Sequence, residues 1–257
     1  MVRIIMHGCN GKMGQAISGL LAEDKDARLV AGVDLRDDGH NPYPVFNKIS
    51  ECDVRADCLI DFSIASAVDS VLEYCVEKKL PCVLCTTGLS EEQKKKVEEA
   101  SQSTAILHSA NMLLGVNLLF KLLKNAATIL APAGYDIEIV EKHHSQKVDA
   151  PSGTALALAN AVNEVLENPY EYVYDRSSRK QARPRKEIGI SVVRGGTIVG
   201  DHDVIFAGPD EVVTFSHRAY SKTAFGQGAI TAAKFLAGKK SGLYNMEDVI
   251  QMTRVEH

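Results

Sequence analysis

The fifteen residues from Glu141 to Ala155, Glu-Lys-His-His-Ser-Gln-Lys-Val-Asp-Ala-Pro-Ser-Gly-Thr-Ala, hold the densest set of reactive groups in the chain. Two imidazoles (His143 and His144), an ammonium (Lys147) and two carboxylates (Glu141 and Asp149) precede a Ser152-Gly153-Thr154 helix start. An imidazole titrates near neutrality and can give or take a proton at cellular pH. Ser and Thr are helix-capping types, and Gly153 lets a ligand approach the backbone. Unpaired amides of a first helical turn, with the positive end of the helix dipole, favour an anionic guest. A carboxylate or a phosphate beside Lys147 fits this pattern. If extended, His143 and His144 face opposite sides of a strand, so no shared metal is expected, while Glu141 shares the side of His143 and can orient it. The competing reading is a polar strand end that merely caps a helix.

Such a cluster must be held by its flanks. Ile137 and Ile139 alternate with Asp136 and Glu138, which predicts a strand over Tyr135 to Val140. Leu156, Ala159, Val162, Val165 and Leu166 recur at helical spacing and predict a helix over Ala155 to Leu166.

A second constellation opens the chain. The apolar run Val2 to Met6 is followed by Gly8-Cys9-Asn10-Gly11-Lys12-Met13-Gly14, and then by Met13, Ile17, Leu20 and Leu21 at helical spacing. Strand, glycine turn and helix in that order form the context of a dinucleotide-binding turn. Asn10 stands where the commoner motif has glycine, and it tolerates positive φ better than most residues. A strand from Leu29 to Val33 ends at Asp34, whose carboxylate suits ribose hydroxyls, whereas Arg36 suits a 2′-phosphate. The alternative is a glycine turn in an α/β protein with Asp34 as a loop residue.

Strands at Cys58 to Ser63, Pro81 to Cys85 and Ala105 to His108 alternate with helices at Ala65 to Lys78 and from Ser90, a capping box with Gln93, to Ala100. This alternation predicts a doubly wound parallel sheet, with Ser63, Thr86-Thr87 and Asn111 in loops where such sheets bind ligands. A long helix from Leu113 to Leu130 changes the style. Strands at Ile188 to Arg194, Thr197 to Phe206 and Val212 to His217, joined by Gly195-Gly196 and Gly208-Pro209-Asp210 as hairpin turns, predict antiparallel sheet in a second, α+β domain. The basic stretch containing Arg176, Arg179, Lys180, Arg183, Arg185 and Lys186 reads as a solvated loop, with a place over an anionic substrate as the alternative. A helix from Ala224 to Leu236 and the apolar Met246 to Met252 return to the first domain.

The chain has 257 residues, 45% of them hydrophobic, and a formal net charge of −4. That is ample for a core and argues against a phosphate-backbone binder. No apolar run reaches membrane-span length, and the N-terminus enters a glycine loop too early for a signal peptide, so a cytoplasmic protein is expected. The six cysteines lie in apolar segments of the first third and read as buried hydrophobes in a reducing compartment. Cys82 and Cys85 lack a second pair, so no metal site is expected.

Taken together, Glu141 to Ala155, Gly8 to Gly14, Asp61-Phe62-Ser63, Thr86-Thr87-Gly88, Gly115-Val116-Asn117 and Phe225-x-x-Gly228-Ala229 resemble the 4-hydroxy-tetrahydrodipicolinate (dihydrodipicolinate) reductases over nearly the whole chain. The resemblance implies a Rossmann-type dinucleotide-binding domain over 1–112 and 222–257, and a mixed-sheet substrate and oligomerisation domain over 113–221. It implies reduction of a cyclic imine dicarboxylate by NADPH or NADH in lysine and diaminopimelate synthesis, by a homotetramer. By position, His143 becomes the proton donor/acceptor and Lys147 a second donor, with His144, Ser152, Gly153 and Thr154 holding substrate carboxylate. Gly8 to Met13, Asp34, Arg36, Cys85, Thr86, Thr87 and Ser109 to Met112 (Ala110 and Asn111 between) would line the cofactor. Cys85 stands where many relatives have glycine, and Leu35 where an arginine often meets the 2′-phosphate, which leaves the choice of NADH or NADPH open. The rival readings are another Rossmann-type dehydrogenase of a small acid and a non-catalytic NAD(P)-sensing protein.

Overall fold

The computed structural model describes residues 1–37 and 39–252. The chain divides into two compact units, Met1–Leu114 with Thr223–His257, and Gly115–Lys222.

The first unit is a seven-stranded sheet. Its strands are β1 (Val2–His7), β2 (Ala27–Val33), β3 (Val45–Phe46), β4 (Cys58–Asp61), β5 (Cys82–Leu84), β6 (Ala105–His108) and, far along the chain, β12 (Gly242–Tyr244). Their order is β12-β6-β5-β4-β1-β2-β3, and every pairing is parallel. Helices α1 (Lys12–Ala22), α6 (Thr223–Leu236) and α7 (Met246–Met252) cover one face, where Ile17, Leu21, Ile230 and Leu236 bury against Ile4, Met6 and Ile60. Helices α2 (Val68–Lys78) and α3 (Glu91–Ser101) cover the other, over Ile5, Leu59 and Ile106. Strands buried on both faces read as unbroken apolar runs, which is why Ile4-Ile5-Met6 shows no alternation. The strand order reverses between β1 and β4, where a doubly wound sheet leaves a crevice at its carboxyl edge. The capping box at α3 is present in both halves: Ser90 Oγ accepts from the Gln93 amide, and the Ser90 amide donates to Gln93 Oε1.

The second unit joins α4 (Leu114–Leu130), α5 (Gly153–Asn163) and a five-stranded sheet. The strands are β7 (Asp136–His143), β8 (Glu171–Val173), β9 (Glu187–Arg194), β10 (Gly200–Ala207) and β11 (Val212–Ala219), in the order β11-β10-β7-β9-β8. Here the hairpin expected at Gly195-Gly196 is corrected. β9 runs parallel to β7 on one side, and β10 antiparallel to it on the other. The Gly195-Gly196 link crosses over the end of β7 instead, with the Gly195 amide donating to the His143 carbonyl and the Ser145 amide to the Gly196 carbonyl. The β10–β11 hairpin through Gly208-Pro209-Asp210 is present.

The basic stretch is solvated only in part: Lys180, Arg185 and Lys186 are exposed, whereas three of its arginines are engaged in ion pairs. Arg176 pairs with Glu187 and Glu138, Arg179 with Glu187, and Arg183 with Asp136 and Glu138. Gly189 makes room for this network, because a Cβ there would lie 1.8 Å from Glu138 Oε2.

Candidate active site

β7 runs three residues further than its apolar pattern predicts, so Glu141 and His143 lie on the strand, not after it. Their side chains continue the inward row of Ile137 and Ile139. Glu141 is fully buried, and such a carboxylate needs compensation. It receives two hydrogen bonds from the Arg194 guanidinium, both 2.8 Å, one from the Ser152 amide at 2.8 Å, and one with His143 Nδ1 at 2.6 Å. Burial pushes the Glu141 carboxyl up, but Arg194, His143 and the Ser152 amide outweigh it and hold it below its ordinary range. An ionised Glu141 accepts from Nδ1–H, which fixes the tautomer and leaves Nε2 as the working nitrogen of His143. Gly200 sits beside that nitrogen, where a Cβ would stand 3.0 Å from Nε2.

The His143 ring meets His202 edge-on, with centroids 5.2 Å apart. Burial, with the neighbouring His143 ring second, lowers His202 to about 4. A neutral His202 accepts from Ser152 Oγ at 3.1 Å, while Oγ accepts from the Ala155 amide as the N-cap of α5. Ser152 thus has its amide on Glu141 and its hydroxyl on His202 and the cap. It fixes the turn, and Gly153 and Thr154 continue the first helical turn beyond it. Lys147 Nζ donates to Asp149 Oδ1 at 2.7 Å, and that pair, chiefly, with help from the Gly153 amide, keeps the Asp149 carboxyl low. Arg194 also donates to the Asp149 carbonyl at 2.6 Å, tying the loop to β9. His144 is half-buried on the loop side, and its carbonyl accepts from the Lys147 amide.

Sequence reasoning missed Arg194 and His202. Arg194 lies on the face of β9 that carries Ile188 and Ile190, in register with His143, and His202 shares the buried alternation of Val204 and Phe206; at both a polar residue departs from the apolar pattern.

In the first unit, Gly8, Asn10, Gly11, Asp34 and Arg36 line one cleft of about 960 Å³, together with His7, Leu35 and Ser63. Gly8 has φ +82°, and a Cβ on it would meet the Phe62 carbonyl oxygen at 2.7 Å. A Cβ on Gly14 would lie 2.2 Å from the Gly8 carbonyl oxygen, so α1 starts directly on the turn. Gly11 is the N-cap of α1 and offers no side-chain cap. This bare turn at a helix N-terminus fits the diphosphate of a dinucleotide.

Asn10 does not take positive φ; among the described non-glycine residues only Lys79 does. Its role is to link the loops: its amide donates to Asp34 Oδ2 at 2.8 Å and its Nδ2 to the Arg36 carbonyl at 2.7 Å. The Leu35 amide donates to Asp34 Oδ1, so the carboxylate is fixed at both oxygens.

The remaining predicted cofactor residues do not line that cleft. Lys12 and Met13 open α1, and Cys9 is fully buried. Cys85 follows β5 with its thiol pushed up by burial, and Thr86 is buried while Thr87 is exposed. Of Ser109 to Met112, which follow β6, Asn111 and Met112 are buried and Ala110 is exposed. No group of three or more potential metal ligands occurs among the described residues.

A switch-point crevice behind a glycine turn, joined in one chain to a mixed-sheet unit with a histidine–carboxylate pair, defines a Rossmann-type oxidoreductase of two units. Residues 2–112 match the family model for the dihydrodipicolinate reductase N-terminus and residues 115–250 that for its C-terminus. The chain belongs to the dihydrodipicolinate reductase family. It is 53% identical over 251 residues to the 4-hydroxy-tetrahydrodipicolinate reductase of Caldanaerobacter subterraneus subsp. tengcongensis, covering 98% of this chain and 99% of that one. It is 44% identical to the Staphylococcus epidermidis enzyme of the same name, covering 93% and 97%. A dipicolinate-bound dihydrodipicolinate reductase from Paenisporosarcina sp. TG-14 superposes with a TM-score of 0.77 at 25% identity, over 95% of this chain and 97% of that one.

Proposed function

We propose that this chain reduces 4-hydroxy-tetrahydrodipicolinate to tetrahydrodipicolinate, with loss of water, using NADPH or NADH. The observation that carries the reading is the buried Arg194–Glu141–His143 arrangement beside Lys147 and the α5 turn, in a chain of this family. The bound dinucleotide supplies the hydride. Everything else falls to the chain's own residues. Gly153 and Thr154, at the positive end of α5, hold a substrate carboxylate with Lys147 and His144. Lys147 must first leave Asp149 to do so. His143 gives a proton from Nε2 to the ring nitrogen side of the substrate as charge develops there, a contribution of roughly 10²–10⁴ in rate. Glu141, kept ionised by Arg194, stabilises the imidazolium before transfer and holds the ring in place.

The dicarboxylate named for the Paenisporosarcina relative supports an anionic ring acid as the guest. Asp34 suits a free ribose diol and Arg36 a 2′-phosphate, so both dinucleotides are accepted. The cytoplasmic location and the homotetramer are proposed on family grounds. No helix among the described residues is long and apolar enough to cross a membrane. The uncovered sheet face bearing Val193, Val212, Thr214 and Ser216 supports assembly.

The test is NADPH absorbance. Oxidation should require aspartate semialdehyde, pyruvate and the preceding synthase together. Oxidation of a plain hydroxy acid, or binding without turnover, would point instead to another dehydrogenase or to a sensor.

A further inference from the structure

The first unit contains a second histidine–carboxylate pair that the proposed reaction does not use. His7 closes β1 and stands in register with Asp61, which closes β4, at the point where the strand order reverses. Its Nδ1 lies 2.6 Å from Asp61 Oδ1, and the other carboxylate oxygen accepts from Thr86 Oγ1 at 2.5 Å. Asp61 is fully buried. Among the described residues no arginine, lysine or backbone amide reaches its carboxylate. Its side chain is held by the His7 ring and the Thr86 hydroxyl alone among the described residues.

With Nδ1 committed to Asp61, Nε2 is the ring nitrogen left for another partner. That nitrogen has no hydrogen-bond partner among the described residues and is not among the buried unpaired atoms. His7 lines the cleft that holds Gly8, Asn10, Gly11 and Asp34, one residue ahead of the glycine turn. The other charged groups lining this cleft are Arg36, Lys48, Glu73 and Glu77, with Tyr74 beside them.

We propose that His7 is a dinucleotide contact, whose Nε2–H donates to a phosphate oxygen of bound NAD(P)H. Asp61 and Thr86 are its positioning residues. The imidazole then bridges the buried Asp61 and the phosphate, and this bond to a charged acceptor adds to the amides of the glycine turn. Because Thr86 shares Asp61 with His7, the turn after β5 is tied to the same contact. This inference rests on the reading that the first unit takes a dinucleotide.

The decisive experiment measures dissociation constants of NADH, NADPH and ADP-ribose for the wild type, His7→Gln and His7→Ala. It is paired with the 15N imidazole spectrum of the wild type before and after ADP-ribose is added. We expect at least about fivefold weaker binding in both variants, alike for all three ligands because the diphosphate is common to them, a loss of the size that one charge-assisted bond carries. The His7 Nε2 resonance should move on binding. Should His7→Ala fail to fold, His7→Gln and the wild-type spectrum decide. Unchanged constants, or an unmoved Nε2 resonance with bound ligand, would overturn the role of His7 alone. A wild type that binds none of the three would overturn the dinucleotide reading together with it.

Discussion

The two units place the same pair, histidine Nδ1 2.6 Å from a fully buried carboxylate, at strand ends and then surround it differently. Glu141 has a guanidinium and an amide in addition to its histidine; Asp61 has one hydroxyl. Arg194 balances the charge of Glu141, so His143 can release its proton without stranding a buried anion. Among the described residues no such cation stands beside Asp61. Identical contact distances therefore sit in two settings: Glu141 is compensated apart from its histidine, and Asp61 is not. What distinguishes them is the third partner, not the pair.

This contrast can be broken at several points. Lys147→Ala removes the ammonium that pairs with Asp149 and should nearly abolish turnover; near-normal kcat with raised KM would make Lys147 only an anion clamp. Arg194→Met turns the second pair into an analogue of the first. It should cut kcat by at least about tenfold and destabilise the fold by about 2–3 kcal/mol, read from urea midpoints. Arg194→Lys should recover part of both.

His202 gives a pH signature. Its folded value of about 4 lies below that of the unfolded chain, so the unfolded state takes up the proton first as pH falls. Stability should drop by about 3 kcal/mol between pH 6.5 and 4, and His202→Met should flatten that slope. Glu141 acts at lower pH: its lowered folded value stabilises above the ordinary carboxylate range and is lost as pH falls through it.

Gly200→Ala places a Cβ 3.0 Å from His143 Nε2 and should lower kcat several-fold with an unchanged melting temperature. Thr86→Val, which takes the only hydroxyl from Asp61, should destabilise by about 1–2 kcal/mol and weaken dinucleotide binding without altering the pH profile of turnover.

Much of this was legible in the sequence, because burial and periodicity agree along most of the chain. The alternation of apolar strands with capped helices is present as expected, down to the Ser90–Gln93 box. Where polar residues occupy inward positions, the apolar pattern stops before the strand does. This hid the last three residues of β7 and made Arg194 look like the end of an ordinary strand. The neighbours of β7 were not legible either. Gly195-Gly196 has the composition of a hairpin, and only the pairing of β9 and β10 on opposite sides of β7 shows it to be a crossover. The arginines at 176 and 183 read as solvated because their partners Asp136 and Glu138 lie some 40 residues earlier on another strand, and Arg179 because its partner Glu187 lies beyond the loop.

The central claim is that His143 Nε2, set by Glu141 and Arg194, delivers the proton. Steady-state kinetics of His143→Gln with NADPH tests it most directly. The account predicts a kcat at least about tenfold below wild type with KM little changed, as expected when an interaction made only in the transition state is lost. An unaltered kcat would contradict it.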